Sequence, residues 1–367
     1  MISSHTPQKI RVGVFCKPLE KPFSGSGSHL KGLLTELTDT VFEDIEFVLL
    51  TSKPESVKNF GFKVVQLSNN YFENYLTISA LNLSILHFHP FTIKSFFWLT
   101  KVKKVATIHG ASRITMRSTY GWLHWIHAKF LRPFAQFFLD AIVTSSNASK
   151  RQLMDGALIG TVEPTIIYIG VNSYLAYPPG TKPLGLDSRS YIFHMSNFSL
   201  RKNPFGILDG YKESVRLGVD KNLVIAGKGW NNLVVQDWLS KNPKLQDRIS
   251  ILDFVCDSEV RDLYDHAAVF LFPSFYEGFG MPIIEAMSCG APVVTSKIGA
   301  MIEVGGDAAV FVSDPKSTNE IGMSIAGILS DVEQWNDISA RGLKHANAFS
   351  WKSAAEKHLD LYRNLMV

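Results

Sequence analysis

Short apolar runs rich in β-branched side chains recur along the 367-residue chain, with longer amphipathic stretches between them. A first series comprises Arg11 to Cys16, Glu46 to Leu50, Lys63 to Leu67, Ser84 to His89, Val105 to His109, Ala141 to Ser145 and Thr165 to Ile169. A second comprises Tyr191 to Met195, Asn222 to Ala226, Ile249 to Phe254, Val269 to Phe272, Pro292 to Thr295 and Ala309 to Val312. Runs of this kind predict buried strands, and helical spacers between them predict parallel sheets built from βαβ units. Asn172 to Arg189 breaks the pattern: it lacks periodicity and holds Pro178, Pro179, Gly180, Pro183 and Gly185, as a linker does. The expected fold class is α/β, with two Rossmann-like doubly wound parallel-sheet domains facing a central cleft. The first covers residues 1–172, a linker 173–189, and the second 190–350. Ser350 is a candidate N-cap for a C-terminal helix over 351–367.

Placed on these elements, the polar residues acquire positions. The run Ala267 to Phe272 reads as a strand that Pro273 to Gly280 cannot continue, so Glu277 falls on a loop at a strand's carboxyl end. Pro282 suits the first helical position, which puts Glu285 within about the first turn. In an open α/β sheet ligands bind in the crevice beyond the carboxyl ends of the strands, and a helix N-terminus there favours an anion. Two carboxylates beside such a phosphate site suit a sugar phosphate. The strand Tyr191 to Met195 runs into a basic turn with Arg201 and Lys202, cations able to stabilise charge on a leaving phosphate. A solvated pair is the alternative for that segment alone. Asn222 to Ala226 ends similarly, in a glycine turn at Gly227.

In the first domain, the loop Ser24 to Ser28 with Gly25, Ser26 and Gly27 precedes an apparent helix, and glycines there let backbone amides approach a ligand. The spacing fails the GxGxxG dinucleotide pattern, so no nicotinamide cofactor is expected. His109 emerges at the end of its strand; a structural hydrogen bond is the competing role. His124 and His127 have the spacing of a helical metal pair but no Cys or carboxylate near them in sequence, so burial on an aromatic helix is the reading and no metal site is expected.

Length implies two hydrophobic cores. Cys16, Cys256 and Cys289 lie in apolar contexts without paired spacing and read as buried thiols in a reducing compartment. With a short polar start and no run long enough to span a bilayer, the expected location is cytoplasmic. The net charge of +4 is unevenly spread. From Asn74 to Leu139 there is no Asp or Glu, while Lys94, Lys101, Lys103, Lys104, Arg113, Arg117, Lys129 and Arg132 are interleaved with aromatics such as Trp98, Tyr120, Trp122 and Trp125. A basic, aromatic surface over residues 94–134 suits peripheral contact with an anionic membrane or a lipid-linked phosphate acceptor; the alternative is a core with a solvated cationic rim. No recognition helix, RNP signature or zinc spacing supports nucleic acid.

The run Glu277-Gly-Phe-Gly-Met-Pro-Ile-Ile-Glu285, continuing through Ser296 and Glu303-Val-Gly305, resembles the EGFGxPxxE motif of retaining GT-B glycosyltransferases named glycosyl transferases group 1. Weaker matches extend over Lys202-Asn203, Val224 to Gly229, Ile108-His-Gly110, Tyr168 to Val171 and Ser350-Trp351. The resemblance implies transfer of a hexose such as mannose, glucose or N-acetylglucosamine from a nucleoside diphosphate sugar to a hydroxyl of a glycan or lipid-linked acceptor, without metal or other cofactor. Glu285 would hold the ribose and Glu277 the transferred sugar. Amides from Gly278, Phe279, Gly280, Met281 and Pro282 would hold sugar hydroxyls and the diphosphate, and the Gly25 to Gly27 loop would approach it. Lys202 would neutralise the diphosphate, His109 would touch the donor sugar, and the C-terminal helix would cross back to the N-terminal domain. Where many members carry Gly-Arg, this chain has Ser196-Asn197, so either Arg201 is the replacement cation or Lys202 acts alone; Gly170-Val-Asn172 replaces the family's Gly-Val-Asp. Two other functions fit the same layout: a GT-B sugar-nucleotide epimerase, and a catalytically silent glycan- or nucleotide-binding subunit.

Overall fold

The computed structural model describes residues 9–20, 24–89, 100–110, 137–155, 162–171 and 189–367. The chain divides into two compact units, Met1–Gly170 with Ser350–Val367, and Val171–Phe349. His124, His127, most of the acid-free segment and nearly all of the expected linker lie outside the described residues.

In the first unit, among the described residues, seven parallel strands lie in the order β3-β2-β1-β4-β5-β6-β7. They are β1 (Ile10–Phe15), β2 (Ile45–Thr51), β3 (Lys63–Gln66), β4 (Ile85–Phe88), β5 (Lys103–Thr107), β6 (Ala141–Thr144) and β7 (Thr165–Ile166). A parallel sheet is covered on both faces by its crossovers, so its central strands must be apolar on both sides. β4 and β6 are accordingly buried at every position. The order reverses between β1 and β4, the point of an open sheet where residues at the strands' carboxyl ends converge.

Helix α1 (Gly25–Asp39) corrects the expected glycine loop: Gly25, Ser26 and Gly27 are the first helical turn. Ser24 is the N-cap, its Oγ accepting from the Gly27 amide at 3.0 Å, and this cap starts the helix despite two glycines. Gly27 is required sterically, since a Cβ there would stand 2.8 Å from Ser24 Oγ and 3.0 Å from the Pro18 carbonyl oxygen. Gly25 is exposed and meets no such neighbour.

The C-terminal helix, Trp351–Asn364, packs within this first unit and is capped by Ser350, whose Oγ accepts from Ser353 N at 3.0 Å. Trp351 is buried against Gly32 of α1. Tyr362 Oη meets His87 Nδ1 of β4 at 2.6 Å, and Arg363 forms a bidentate pair with Asp44 at 2.7 and 3.0 Å.

The second unit repeats the plan with six parallel strands in the order β10-β9-β8-β11-β12-β13. These are β8 (Tyr191–Met195), β9 (Asn222–Ala226), β10 (Ile249–Leu252), β11 (Ala267–Phe272), β12 (Val293–Ser296) and β13 (Val310–Val312). The reversal falls between β8 and β11, and β11 is buried along its whole length. Its core gathers Ile192, Ile207, Tyr211, Val269, Leu271 and Ile321, among others. One expectation about the thiols fails. Cys16 is buried and its thiol is pushed up to about 12 by burial, but Cys256 is exposed, because it starts a surface helix and its amide donates to Glu259 at 2.8 Å.

Gly32 and Trp351 offer a direct test of the C-terminal docking. A methyl at Gly32 would overlap the Trp351 indole, so Gly32→Ala should lower stability by roughly 1–3 kcal/mol. A smaller partner in Gly32→Ala/Trp351→Leu should recover part of that loss. Urea unfolding followed by circular dichroism reads the midpoints; an unchanged midpoint in Gly32→Ala would show that the helix does not pack as described.

Candidate functional site

The loop after β8 forms a single turn, Leu200–Lys202, and ends at Asn203, which adopts a left-handed conformation (φ 58°) to cap the next helix, α2 (Pro204–Arg216). Asn203 Oδ1 accepts from Gly206 N at 3.1 Å, while its Nδ2 donates to the carbonyls of Pro273 at 2.9 Å and Pro315 at 2.6 Å. The backbone of Phe275 also donates to the Arg201 carbonyl at 2.9 Å. The loops following the adjacent strands β8 and β11 are therefore tied together at the strand-order reversal.

That tie brings Arg201, Lys202 and Glu277 together. Lys202 Nζ lies 2.7 Å from Glu277 Oε1, and Arg201 Nη1 lies 2.7 Å from Oε2. Arg201 also donates to the Tyr276 carbonyl at 2.6 Å, and Lys202 Nζ stands 4.5 Å from the centre of the Phe272 ring. Burial by itself raises the Glu277 carboxyl; the Lys202 and Arg201 charges and their hydrogen bonds outweigh it, so the net shift is downward and Glu277 is ionised. Burial dominates at Lys202 and pulls its ammonium down, with Glu277 acting against that shift. Counting Arg201 and Lys202 as +1 each and Glu277 as −1, the cluster keeps one net positive charge.

The helix after this loop, α3 (Met281–Ser288), begins one residue earlier than its proline suggests. Gly280 takes a left-handed φ of 103° and serves as N-cap, Pro282 is the second helical residue, and Glu285 is the fifth, in the second turn rather than the first. Glu285 is buried and accepts a hydrogen bond from Tyr264 Oη at 3.1 Å. Phe279 is buried and meets Phe349 edge-to-face at 5.8 Å, while Gly278 links it to Glu277. Met281 and Pro282 are partly exposed at the helix start.

Asn197 and Gly227 lie together on the neighbouring turn. Asn197 Oδ1 accepts from Lys228 N at 3.1 Å, and Gly227 has φ 136°, where a Cβ would collide with the Ser196 carbonyl. Trp230 Nε1 donates to that same carbonyl at 2.7 Å. Asn197 thus organises the turn after β9, and the second cation on Glu277 is Arg201. Below it, His194 donates from Nδ1 to Leu271 O at 2.8 Å and meets Ser196 Oγ through Nε2 at 2.7 Å; burial pushes the ring down to about 3, so it is neutral.

His109 and Gly25 to Gly27 belong to the first unit. His109 follows β5 and is pushed down to about 4 by burial, and its ring packs at 4.7 Å from that of His29. Sequence reasoning missed Tyr264, whose signal was the buried stripe Val260, Leu263 and Tyr264 on Asp257–Asp265, and it gave no role to His29, His89 or His194.

Comparison with known proteins follows this geometry. Residues 182–345, which hold every one of the second-unit residues above except Phe349, match the family described as Glycosyl transferases group 1. Over 180 residues the chain is 36% identical to O-antigen chain mannosyltransferase B of Escherichia coli, covering 48% of this chain and 46% of that protein. The match therefore spans about half the length of that relative. Sucrose-phosphate synthase from Thermosynechococcus elongatus superposes with a TM-score of 0.76 at 16% identity, over 98% of this chain and 99% of the other. Anabaena HepE, solved with UDP and glucose, gives a TM-score of 0.76 at 16% identity over 97% and 100%. Residues 182–345 are thus similar to the glycosyl transferases group 1 family, and the two parallel-sheet units share the GT-B fold of these solved structures.

Proposed function

We propose that the chain is a retaining glycosyltransferase that moves a hexose from a nucleoside diphosphate sugar to a hydroxyl of a growing surface polysaccharide or lipid-linked glycan. The observation that carries this reading is the Arg201–Lys202–Glu277 cluster, buried at the strand-order reversal beside the start of α3 and holding a net positive charge. Such a cluster accepts an anion, and the helix start adds backbone amides on the same side. The 36% identical relative is named a mannosyltransferase, which favours mannose among the hexoses.

In this mechanism Glu285, held by Tyr264, binds the ribose hydroxyls. Lys202 and Arg201 take the diphosphate, supplying from side chains the counter-charge that a metal provides elsewhere. Glu277 orients the transferred sugar, with Gly278 to Pro282 offering amides and Asn197 and Gly227 shaping the adjacent turn. Acceptor oxygen attacks the anomeric carbon on the face from which the diphosphate leaves; the bond from that carbon to the phosphate oxygen breaks, and the leaving diphosphate takes both the electron pair and the acceptor proton. Catalysis then rests on alignment and on stabilising the departing charge.

Nucleoside diphosphate release from a panel of UDP-, GDP- and ADP-sugars, with and without acceptor, tests the reading. One donor should turn over, and Glu277→Gln should slow that turnover about a hundredfold or more while nucleotide binding persists. Release unchanged in Glu277→Gln would sink the site assignment. Product that is an isomerised nucleotide sugar, formed without acceptor, would instead identify an epimerase, and binding without any turnover a silent subunit.

Tyr264→Phe removes the Oη hydrogen bond to the buried Glu285 carboxylate, together with a 3.5 Å bond to Met195 Sδ. Calorimetric titration should show nucleoside diphosphate binding weakened about tenfold. Equal affinity in the variant and the parent would mean that Glu285 does not hold the nucleotide.

A peripheral membrane contact is favoured by the exposed Phe72 and Leu76 on the helix Tyr71–Ser79 and by exposed Phe137, which flank the acid-free, basic segment. Among the described residues no helix is long and apolar enough to cross a membrane. Co-sedimentation with anionic liposomes at low salt should capture the protein, fall with added salt, and drop several-fold in Phe72→Ser/Leu76→Ser. Failure to sediment at low salt discards the membrane contact.

A further inference from the structure

The reversal point of the first sheet holds a different kind of cluster. His29 lies in α1, the helix entered from β1; His89 follows β4; His109 follows β5. The three converge where the strand order turns, the place that arginine, lysine and glutamate occupy in the second unit. One ring nitrogen of each lies within 4.8 Å of one from each of the others. His29 and His89 are almost wholly buried, and the rings pack with centroids 4.7 to 6.3 Å apart.

Each ring carries a buried nitrogen with no hydrogen-bond partner: Nδ1 of His29, Nδ1 of His89 and Nε2 of His109. Leaving one such atom unpaired costs about 1–3 kcal/mol, and buried polar groups are nearly always satisfied. Three in one cluster, with ring nitrogens within 4.8 Å of one another, mark a set arranged around a common ligand. All three rings are held neutral by burial, the form in which imidazole offers a lone pair.

A chain of hydrogen bonds behind His89 sets its tautomer. His89 Nε2 meets Thr107 Oγ1 at 3.2 Å, and Thr107 Oγ1 meets His87 Nε2 at 2.8 Å. His87 Nδ1 in turn meets Tyr362 Oη at 2.6 Å. If Thr107 accepts from His89 and donates to His87, then His87 donates onward from Nδ1 to Tyr362, and His89 is left with a bare lone pair on Nδ1. This is the arrangement that orients a metal-bound imidazole: the outer nitrogen donates to a fixed acceptor and the inner one faces the ion.

We propose that His29, His89 and His109 form a three-imidazole site for a borderline divalent transition-metal ion, with zinc the ion that such a set fits best. Three neutral nitrogen donors suit zinc and its neighbours and are poor ligands for magnesium or calcium. Zinc held tetrahedrally at 2.0–2.1 Å sets nitrogens about 3.3 Å apart, so nitrogens lying within 4.8 Å of one another here would draw together by up to about 1.5 Å on binding. Three histidines leave one coordination position for water or another oxygen ligand. All three residues lie in the first unit, and because the family resemblance gives His109 a donor-sugar contact, the test reads metal binding itself rather than sugar transfer.

The test uses the full chain, stripped with a chelator and titrated with Co²⁺ as a spectroscopic substitute for zinc. One equivalent should bind, with the visible absorption of a four- or five-coordinate ion, and Zn²⁺ should displace it. His89→Gln and His109→Gln should each lose that absorption, and Thr107→Val should weaken binding about 10–100-fold by freeing the His89 tautomer. Urea unfolding followed by circular dichroism reports that each variant is folded. Zinc X-ray absorption on the unmodified chain, which counts bound imidazoles, decides the matter if the variants do not fold. Absence of stoichiometric Co²⁺ or Zn²⁺ binding, binding that survives in both histidine variants, or fewer than three imidazoles on the zinc would each overturn the site.

Discussion

A carboxylate as buried as Glu277 stays ionised only because two cations reach it, and the local structure of the second unit is arranged around that requirement. Neither cation comes from its own loop. Arg201 and Lys202 arrive from the turn after β8, so the ion pairs hold two loops that are adjacent only because the strand order reverses between β8 and β11. Asn203 completes the clamp with its bonds to Pro273 and Pro315, and its left-handed backbone starts α2. Removing Glu277 would leave two partly buried cations in mutual repulsion; removing Lys202 would leave a buried anion with one partner. Breaking such a set is costly even though forming it from water contributes little net stability, so its retention argues for a use beyond stability.

The same topology operates in the first unit with other chemistry. Polar side chains that follow β1, β4 and β5 must converge at that sheet's reversal, just as those after β8 and β11 do in the second. Here the residues are imidazoles, and burial keeps them neutral, so the convergence presents lone pairs and N–H groups where the second unit presents charge. The C-terminal helix supports this set from behind, since Tyr362 ends the hydrogen-bonded chain through His87 and Thr107 to His89. A segment more than 250 residues distant in sequence is therefore linked by hydrogen bonds to the imidazole at the strand ends.

Much of this was legible in the sequence where the signal is local. Strand runs such as Tyr191 to Met195 and Asn222 to Ala226 coincide with β8 and β9, because β-branched and aromatic runs of strand length have few other ways to be buried. Thr165 to Ile169 was read too long; only Thr165–Ile166 joins the ladder. The glycines at 25 and 27 argued for a loop by propensity, yet the Ser24 cap and the tight approach of Pro18 to Gly27 made them a helix start. Pairings across the sheet edge were invisible. Glu277 and Lys202 are 75 positions apart, and Tyr264 reaches Glu285 from a helix on the other side of a strand, so no spacing rule connects them. The histidine cluster failed for the same reason: its members lie on three elements, whereas the motif search looked for neighbours on one.

At Asn197, where many members of the resembled family carry arginine, this chain has no charge, and the second cation on Glu277 is Arg201. The Asn197 amide oxygen is committed to Lys228 N, and the backbone beside it receives the Trp230 indole N–H through Ser196. A long cationic side chain at 197 would have to leave that turn to reach Glu277, whereas Arg201 is already anchored by the Tyr276 carbonyl within the same loop that bears the carboxylate. Anchoring matters because the entropy of a free arginine must be met by its bonds, and Arg201 makes one to backbone and one to Glu277 before any ligand arrives. The positive charge beside Glu277 is thus preorganised by a hydrogen bond to the protein's own backbone, which is in place with no ligand bound.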